Sequence, residues 1–292
     1  MVVLNGVGHA IKRAVILAVA AEGVLTLMDA TIKSLTPFYP TFQITFMRFA
    51  MGSVFALVLF LIKRPGWPSR ETVRYNGLRS LLVVLTGTTF FFALSKLAMA
   101  EAMALSFVSP LFMALFGVLL LGERFDAKIA IALVAGIAGM TVIVSGRLGG
   151  GAAVSQDTLL GAGAVLVSAM AYALAMVMLR ARAQVDPLAT IVLFQNALPA
   201  LLLAVPAATV WRPPTMAHIG MFLMIGALGV GGHTLLTHAF ARAEAARLAP
   251  VHYVVLVWGI VFGFLFFAEV PTLWTLAGAA LIVAATLLTR KQ

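Results

Sequence analysis

The segment AMAEAMALSFVSPLFMALFGVLLLGE, residues 98–123, indicates how the chain is organised because a related segment recurs later in the sequence. When the chain is shifted by 146 residues, half of its length, this stretch lies over EAARLAPVHYVVLVWGIVFGFLFFAE, residues 244–269, without a gap. The shift pairs Gly117 with Gly263 and Glu123 with Glu269. Each stretch contains an apolar run of the roughly 20 residues that an α-helix needs to cross a bilayer. The chain is therefore expected to consist of two related halves built from membrane-spanning helices.

Composition indicates that lipid is the solvent of this 292-residue chain. Hydrophobic residues make up 62% of it and charged residues only 10%, whereas an average soluble domain carries about 25% charged residues. The absence of cysteine excludes disulfides, thiolate catalysis and zinc–thiolate sites. The net charge of +10 comes from basic residues at the edges of apolar runs, which is typical of contact with lipid headgroups rather than with nucleic acid. The predicted partners are the lipid bilayer and a small molecule, with no cofactor and no metal.

Ten apolar runs are predicted to span the membrane. They are Ala14–Ile32, Thr41–Ile62, Leu78–Leu97, Ala102–Leu121, Ile129–Ser145, Leu159–Leu179, Leu188–Val210, Ile219–Ala241, Leu248–Phe267 and Leu273–Leu288. The predicted fold is an all-α integral membrane protein with ten transmembrane helices arranged as two inverted five-helix repeats. Because five is odd, the second repeat enters the membrane upside down relative to the first, which is an architecture of secondary transporters.

The distribution of lysine and arginine predicts the orientation of the chain. Fifteen of the twenty basic residues lie at the termini and in the even-numbered connections, four lie on the opposite side, and Arg48 lies inside the second span. The positive-inside rule then places both termini in the cytoplasm of a cytoplasmic (inner) membrane. We expect a first repeat at residues 1–146, a Gly-rich extracytoplasmic linker at 147–156 and the inverted repeat at 157–292.

Three ionisable residues inside the first two spans, Glu22, Asp29 and Arg48, are candidates for a substrate cavity. A charge at the centre of a span costs about 2.5–3.5 kcal/mol on insertion scales, so these side chains are expected to face protein or water. Glu22, Thr26 and Asp29 follow one helical face. Substrate or proton binding is one interpretation. An ion pair of Arg48 with either carboxylate, or of Asp29 with Lys33, is the alternative.

Further cavity candidates share a position near the middle or the start of a span. They are Thr86, Thr89, Phe90, Tyr172, Gln195, Asn196, His233, Tyr253 and Trp258. Amides also join helices in membranes, and aromatic side chains also serve as packing or interface anchors. Gating or hinge candidates are prolines, which break backbone hydrogen bonds, and glycines, which let helices approach closely. The alternative to a gating role is that they produce ordinary kinks and close packing. They are Pro110, Gly229, Gly231, Gly232 and Pro250.

At these residues the chain resembles the drug/metabolite transporter superfamily, EamA-type branch. The resemblance rests on ALSFVSPLFMALFGVLLLGER at the end of span 4, on LAPVHYVVLVWGIVFGFLFFAE in span 9 and on Arg48 within TFQITFMRFA. It implies a small-molecule carrier, often an exporter of amino acids or related metabolites. It also implies a central cavity lined by spans from both halves, including spans 3, 4, 8 and 9. The matching glutamates Glu123 and Glu269 are interpreted as structural.

The sequence thus predicts a secondary transporter rather than an enzyme, which exports amino acids or related metabolites by alternating access. No Gly-x-x-x-x-Gly-Lys-Ser/Thr motif occurs, so a nucleotide-hydrolysing loop of that kind is excluded. The alternatives are an uptake carrier for a larger metabolite such as a nucleoside-like methyl donor, a membrane-embedded enzyme, and a structural or sensor protein. Protons acting as a coupling ion through Glu22 or Asp29 and facilitated diffusion are equally open.

Overall fold

The computed structural model describes residues 2–121, 127–145, 155–182, 185–240 and 253–288, and their regular secondary structure is entirely helical. The helices are α1 (Val2–Leu35), α2 (Thr41–Lys63), α3 (Arg70–Lys96), α4 (Met99–Ser106), α5 (Ser109–Leu121), α6 (Ala127–Ser145), α7 (Gln156–Arg182), α8 (Leu188–Thr209), α9 (Met216–Phe240), α10 (Val254–Phe267) and α11 (Leu273–Leu288).

Six of these helices are long and apolar enough to cross a membrane by themselves. They are α1 from Arg13 onward, α2, α3, α7 to Leu179, α8 and α9 to Leu236. Four shorter apolar segments lie at Met99–Met113, Val134–Ser145, Val254–Phe267 and Leu273–Ala284. Together these ten segments fall on the ten predicted spans, and the all-α membrane fold is confirmed.

The prediction that span 4 is one helix is wrong. The helix is interrupted between α4 and α5, where the Phe107 and Val108 amides bond to carbonyl groups only three residues earlier, at 3.3 Å each. Pro110 has no amide hydrogen, and in a continuous helix its ring would clash with the Ser106 carbonyl, so the hydrogen-bond ladder cannot pass through this point. Pro110 therefore lies in the first turn of α5 rather than at a kink inside one helix.

Helix packing relates the two halves by a pseudo-two-fold axis. The first span of each half packs against the third span of the other half, because α1 contacts α9 and α7 contacts α3. The second spans, α2 and α8, pack against each other, and so do the fifth spans, α6 and α11. Each of these contacts between a helix of the first half and a helix of the second is thus repeated by the equivalent pair of helices. Since each half has an odd number of spans, the repeats are inverted relative to each other.

Hydrogen bonds at the helix starts repeat with the same 146-residue shift. The Ser69 hydroxyl accepts from the Thr72 amide at 3.1 Å, and the Thr215 hydroxyl accepts from the His218 amide at 3.3 Å. Both serine and threonine are favoured at helix N-termini because their oxygen satisfies an amide that has no partner in the helix. The third span of each half therefore begins in the same way.

The same two helix starts are tied to turns of the opposite half. Thr72 donates to Asp186 Oδ1 at 2.8 Å, and His218 Nδ1 shares a hydrogen bond of 2.7 Å with the Tyr39 hydroxyl. Asp186 and Tyr39 each directly precede the proline that caps α8 or α2. These matched bonds fix the second span of one half beside the third span of the other, and so position the helices that carry the charged residues.

Candidate functional site

The predicted polar face of α1 is present in the structure. Glu22 and Thr26 are buried, and Asp29 is partly buried on the same side of the helix. Thr26 donates its hydroxyl hydrogen to the Glu22 backbone carbonyl at 2.7 Å, so its polar group is satisfied within α1. The two carboxylates are the groups of this face that can act on a ligand.

Arg48 lies on α2 and bonds across the interface between the two halves. Its side chain is buried, and Nη1 donates to Asn196 Oδ1 on α8 at 2.7 Å. The Asn196 amide nitrogen donates to the Val192 carbonyl at 2.8 Å, which orients the oxygen toward Arg48. Gly52 lies directly against Asn196, so a side chain at position 52 would collide with the amide. The structure thus joins two predicted candidates, Arg48 and Asn196.

Neither of the ion pairs considered as alternatives for Arg48 and Asp29 is present. Among the described residues, no carboxylate oxygen lies within 4 Å of the Arg48 guanidinium. Lys33 pairs with Glu269 at 2.6 Å instead of with Asp29. Asp29 interacts electrostatically with Arg48 and with Glu22, at distances beyond a direct ion pair. These charges are close enough to influence one another without neutralising one another by contact.

Further helices add to the same group of charges. His233 on α9 interacts electrostatically with Arg48 and with Arg79, and Tyr172 on α7 interacts with Glu22 on α1. Tyr172 is 36% exposed although it lies near the middle of α7. We call the group the polar cluster. Its members are Glu22, Asp29, Arg48, Arg79, Tyr172 and His233.

Arg79 is the member that sequence reasoning missed. In the sequence, Arg79 lies at the edge of the third span, one residue after its predicted start at Leu78, and it is counted with the basic residues of the cytoplasmic connection. In the structure α3 begins eight residues earlier, and Arg79 is only 3% exposed. Its Nη2 donates to Gln195 Oε1 at 3.1 Å. Thr72, Asn76 and Arg79 have the same i, i+4, i+7 spacing as the polar face of α1, and this signal could have revealed it.

The adjacent amides Gln195 and Asn196 each hold one buried arginine. Gln195 accepts from Arg79 on α3, and Asn196 accepts from Arg48 on α2. Both helices pack against α8, which carries the amides. The two bonds join α8 to α3 and to α2, which agrees with the alternative interpretation that these amides hold helices together. Since they also fix the direction of two guanidinium groups, a cavity role stays a prediction.

The cavity candidates on α3 are Thr86, Thr89 and Phe90, and the hydroxyl groups of the two threonines bond mainly within their own helix. Thr86 and Thr89 donate to carbonyl groups four residues earlier, and the Thr86 carbonyl accepts from Ser168 on α7 at 3.0 Å. Phe90 packs against Phe91 and the main hydrophobic core. The Ser168 bond places Thr86 at the α3–α7 interface, and the cavity role of all three candidates stays a prediction.

The structure does not bring the two aromatic candidates of α10 to the polar cluster by any described contact. Tyr253 packs edge-on against Phe107, with ring centroids 5.3 Å apart, at the break between α4 and α5. Trp258 donates from Nε1 to the Val19 carbonyl at 3.2 Å and lies against Gly23 of α1. Both contacts are those of side chains that pack helices together.

The hinge candidates on α9 lie in a continuous helix and differ in their surroundings. Gly229 lies against Met28 and the Arg48 guanidinium, and Gly232 lies against Leu25, so both allow close packing of α9 on α1 or α2. Gly231 has no neighbouring atom where a side chain would be, so close packing does not explain it. Pro250 lies outside the described residues. A gating role of these positions stays a prediction.

Two segments of the chain, residues 12–145 and 159–290, each match the EamA-like transporter family. The chain is a member of the EamA-like transporter family. Together the two matches cover nearly the whole sequence, one in each half, which agrees with the repeat seen in the helix packing. The resemblance found in spans 2, 4 and 9 is thereby confirmed.

Relatives of this transporter include exporters and importers. The pseudopaline exporter CntI of Pseudomonas aeruginosa is 31% identical over 280 residues, which cover 94% of this chain and 95% of that protein. The S-adenosylmethionine uptake transporter of Rickettsia bellii is 26% identical, with 85% of this chain and 82% of that protein covered. A solved crystal structure with 23% sequence identity superposes with a TM-score of 0.62, covering 93% of this chain and 97% of that one.

These findings establish the broad class of the protein. It is a multi-pass membrane protein that transports small molecules, and it is not an enzyme. The relatives differ in substrate and in direction, so neither follows from similarity alone.

Proposed function

We propose that this chain is a secondary transporter that exports amino acids or related metabolites by alternating access. The observation that carries the proposal is the polar cluster, because it combines carboxylates and guanidinium groups inside a largely apolar helix bundle. Charged residues within spans are costly unless they serve a ligand or pair with one another. An amino acid presents the complementary charges, an ammonium group for Glu22 or Asp29 and a carboxylate for Arg48.

The inverted repeat supports alternating access. In such transporters the substrate site lies near the membrane midplane where the repeats meet. Arg48 on α2 and Asn196 on α8 meet in this way, since they belong to the equivalent spans of the two halves. We further propose that both termini are cytoplasmic, that residues 147–156 link the repeats outside, and that the membrane is the inner membrane. Reporter fusions at each terminus and at residue 150 test this orientation.

The proposed function is tested by uptake of radiolabelled amino acids into liposomes that contain the purified protein. We expect flux of at least one amino acid above that of protein-free liposomes. A pH gradient that accelerates this flux would support protons as the coupling ion, and an unchanged rate would support facilitated diffusion. Absence of flux for the whole panel would overturn the amino-acid proposal.

Uptake of a nucleoside-like methyl donor is a second candidate function, favoured by the similarity to the Rickettsia transporter. Such a ligand also carries an amino-acid moiety that the polar cluster can bind. Radiolabelled S-adenosylmethionine belongs in the same liposome panel. Flux of this compound without flux of any amino acid would replace the first proposal by the second.

A further inference from the structure

Arg48 and Arg79 are two buried guanidinium groups whose hydrogen bonds are mostly unused. A guanidinium carries five N–H donors. Within the described part of the chain, each of these arginines donates a single hydrogen bond, in both cases to a neutral amide. Their exposed fractions are 6% and 3%. Bulk water therefore provides few hydrogen-bond acceptors for the remaining N–H donors of these two side chains.

An amide oxygen orients a guanidinium but does not neutralise it. Removing a positive charge from water is expensive unless an opposite charge accompanies it. The ion pairs of the described residues are Lys33 with Glu269 and Lys96 with Asp157, and neither includes Arg48 or Arg79. For Arg48 the longer-range charge of Asp29 provides partial compensation. Among the described residues, Tyr75 and His233 interact electrostatically with Arg79, and neither is a carboxylate.

The two arginines reach one stretch of α8 from different sides. Gln195 and Asn196 are consecutive, so their side chains diverge by about 100° around the helix and differ by about 1.5 Å along it. Arg79 approaches from α3 and Arg48 from α2, and both helices pack on α8. The two cationic groups therefore lie beside consecutive residues of one helix, and His233 on α9 interacts electrostatically with both of them.

We propose that Arg79 is a second anion-binding residue of the transport site, so that the preferred substrate carries two acidic groups, one bound by Arg48 and one by Arg79. The inference rests on the proposed function and specifies its substrate class. Guanidinium and carboxylate groups form paired, charge-assisted hydrogen bonds, which use donors that the amides leave over. Glu22 and Asp29 on α1 then receive a cationic group of the same substrate. The class is amino acids and related metabolites with a second carboxylate.

The test compares L-glutamate with L-glutamine, which have the same shape but differ by one acidic group. Flux into liposomes is measured for wild type, Arg79→Gln and Arg79→Lys. Wild type is expected to favour glutamate by about tenfold or more, as loss of one charged hydrogen-bonding group predicts. Arg79→Gln is expected to reduce this ratio to about one or two. Arg79→Lys keeps the charge without the planar fork and is expected to be intermediate.

The matched control is Arg74→Gln, which removes an exposed arginine from the same helix and is expected to leave the ratio unchanged. A wild-type ratio near one would overturn the inference. Equal loss of glutamate and glutamine flux in Arg79→Gln, with no intermediate ratio in Arg79→Lys, would also overturn it, because a purely structural arginine has that effect.

A binding measurement separates failure of this inference from failure of the proposed function. The thermal unfolding midpoint of the purified protein is recorded with each compound. Stabilisation by glutamate over glutamine that Arg79→Gln abolishes, without flux of either compound, would support the anion site and contradict amino-acid transport. Absence of both flux and selective stabilisation would overturn both proposals.

Discussion

Two charged regions of this transporter differ in how the chain compensates their charges. The first, which we call the helix-end clamp, consists of Lys33, Leu97, Met99 and Glu269. The Lys33 ammonium lies 2.6 Å from one Glu269 oxygen and donates to the Leu97 carbonyl at 2.6 Å, and the other Glu269 oxygen accepts from the Met99 amide at 2.7 Å. The second region is the polar cluster, where Arg48 and Arg79 are bonded to neutral amides.

We interpret this difference as one between a structural role of the clamp and a binding role of the cluster. In the helix-end clamp an opposite charge from the chain neutralises each charged group, and the carboxylate also satisfies the free amide at the start of α4. This geometry agrees with the interpretation of Glu269 as structural. In the polar cluster the described hydrogen bonds of Arg48 and Arg79 go to neutral amides, and we propose that a substrate supplies the neutralising charge. We therefore expect mutations in the clamp to act on stability and mutations in the cluster to act on flux.

The largest effect is expected for Arg48→Ala. The change removes the cationic group and leaves the Asn196 oxygen without its donor, so we expect liposome flux of amino acids to fall by about 100-fold or more. The measurement is initial flux per folded molecule, with size-exclusion chromatography to establish that the variant is folded. Flux within about threefold of wild type would remove Arg48 from the site.

A smaller loss is expected for Gly52→Val. A side chain at position 52 collides with Asn196 Oδ1, the atom that orients Arg48. We expect flux to fall by about tenfold, because displacement of a positioning group weakens binding without deleting the charge. Gly163→Val is the matched control, since no atom lies within 4 Å of the added Cβ. Similar losses in both variants would show that valine disturbs these helices generally.

Glu269→Gln is expected to reveal the structural role of the clamp. The pair that it breaks is only partly exposed, at 12% and 22% for the two side chains, and we expect a loss of about 1–3 kcal/mol in stability. The thermal unfolding midpoint in detergent should fall by several degrees. Flux per folded molecule should fall far less than in Arg48→Ala. An unchanged midpoint would contradict the assignment of the clamp to structure.

The smallest effect is expected for Asp157→Asn. Its partner Lys96 lies 2.8 Å away, but the two side chains are 29% and 61% exposed. Ion pairs at exposed positions contribute about 0–1 kcal/mol, so neither midpoint nor flux should change measurably. A loss equal to that of Glu269→Gln would mean that exposure does not distinguish the two pairs.

The sequence predicted the features that depend on local pattern. The ten spans follow from hydrophobic runs, and the face of Glu22 and Asp29 follows from helical spacing. For Asn196 and Arg48 the sequence predicted only that the two residues lie at a similar depth in the membrane, not that they bond to each other. That prediction required the 146-residue repeat, because the two residues lie far apart in the chain.

The features that were missed depend on tertiary context. Arg79 lies at the edge of its hydrophobic run, and only the helix start at Ser69 shows that it is two turns inside α3. The break before Pro110 follows from backbone chemistry, but an apolar run alone does not distinguish one helix from two. The alternative pairing of Lys33 with Asp29 is absent for a similar reason, since the observed partner Glu269 comes from the other half of the chain.

Alternating access as proposed here requires that the polar cluster lies in a cavity that opens in turn to the two faces of the membrane. Because the chain contains no cysteine, Tyr172→Cys can be labelled alone with a membrane-impermeant thiol reagent. Right-side-out and inside-out vesicles are treated separately. We expect labelling from both faces, slowed by any compound that shows flux. Labelling from one face only, or from neither, would contradict the claim.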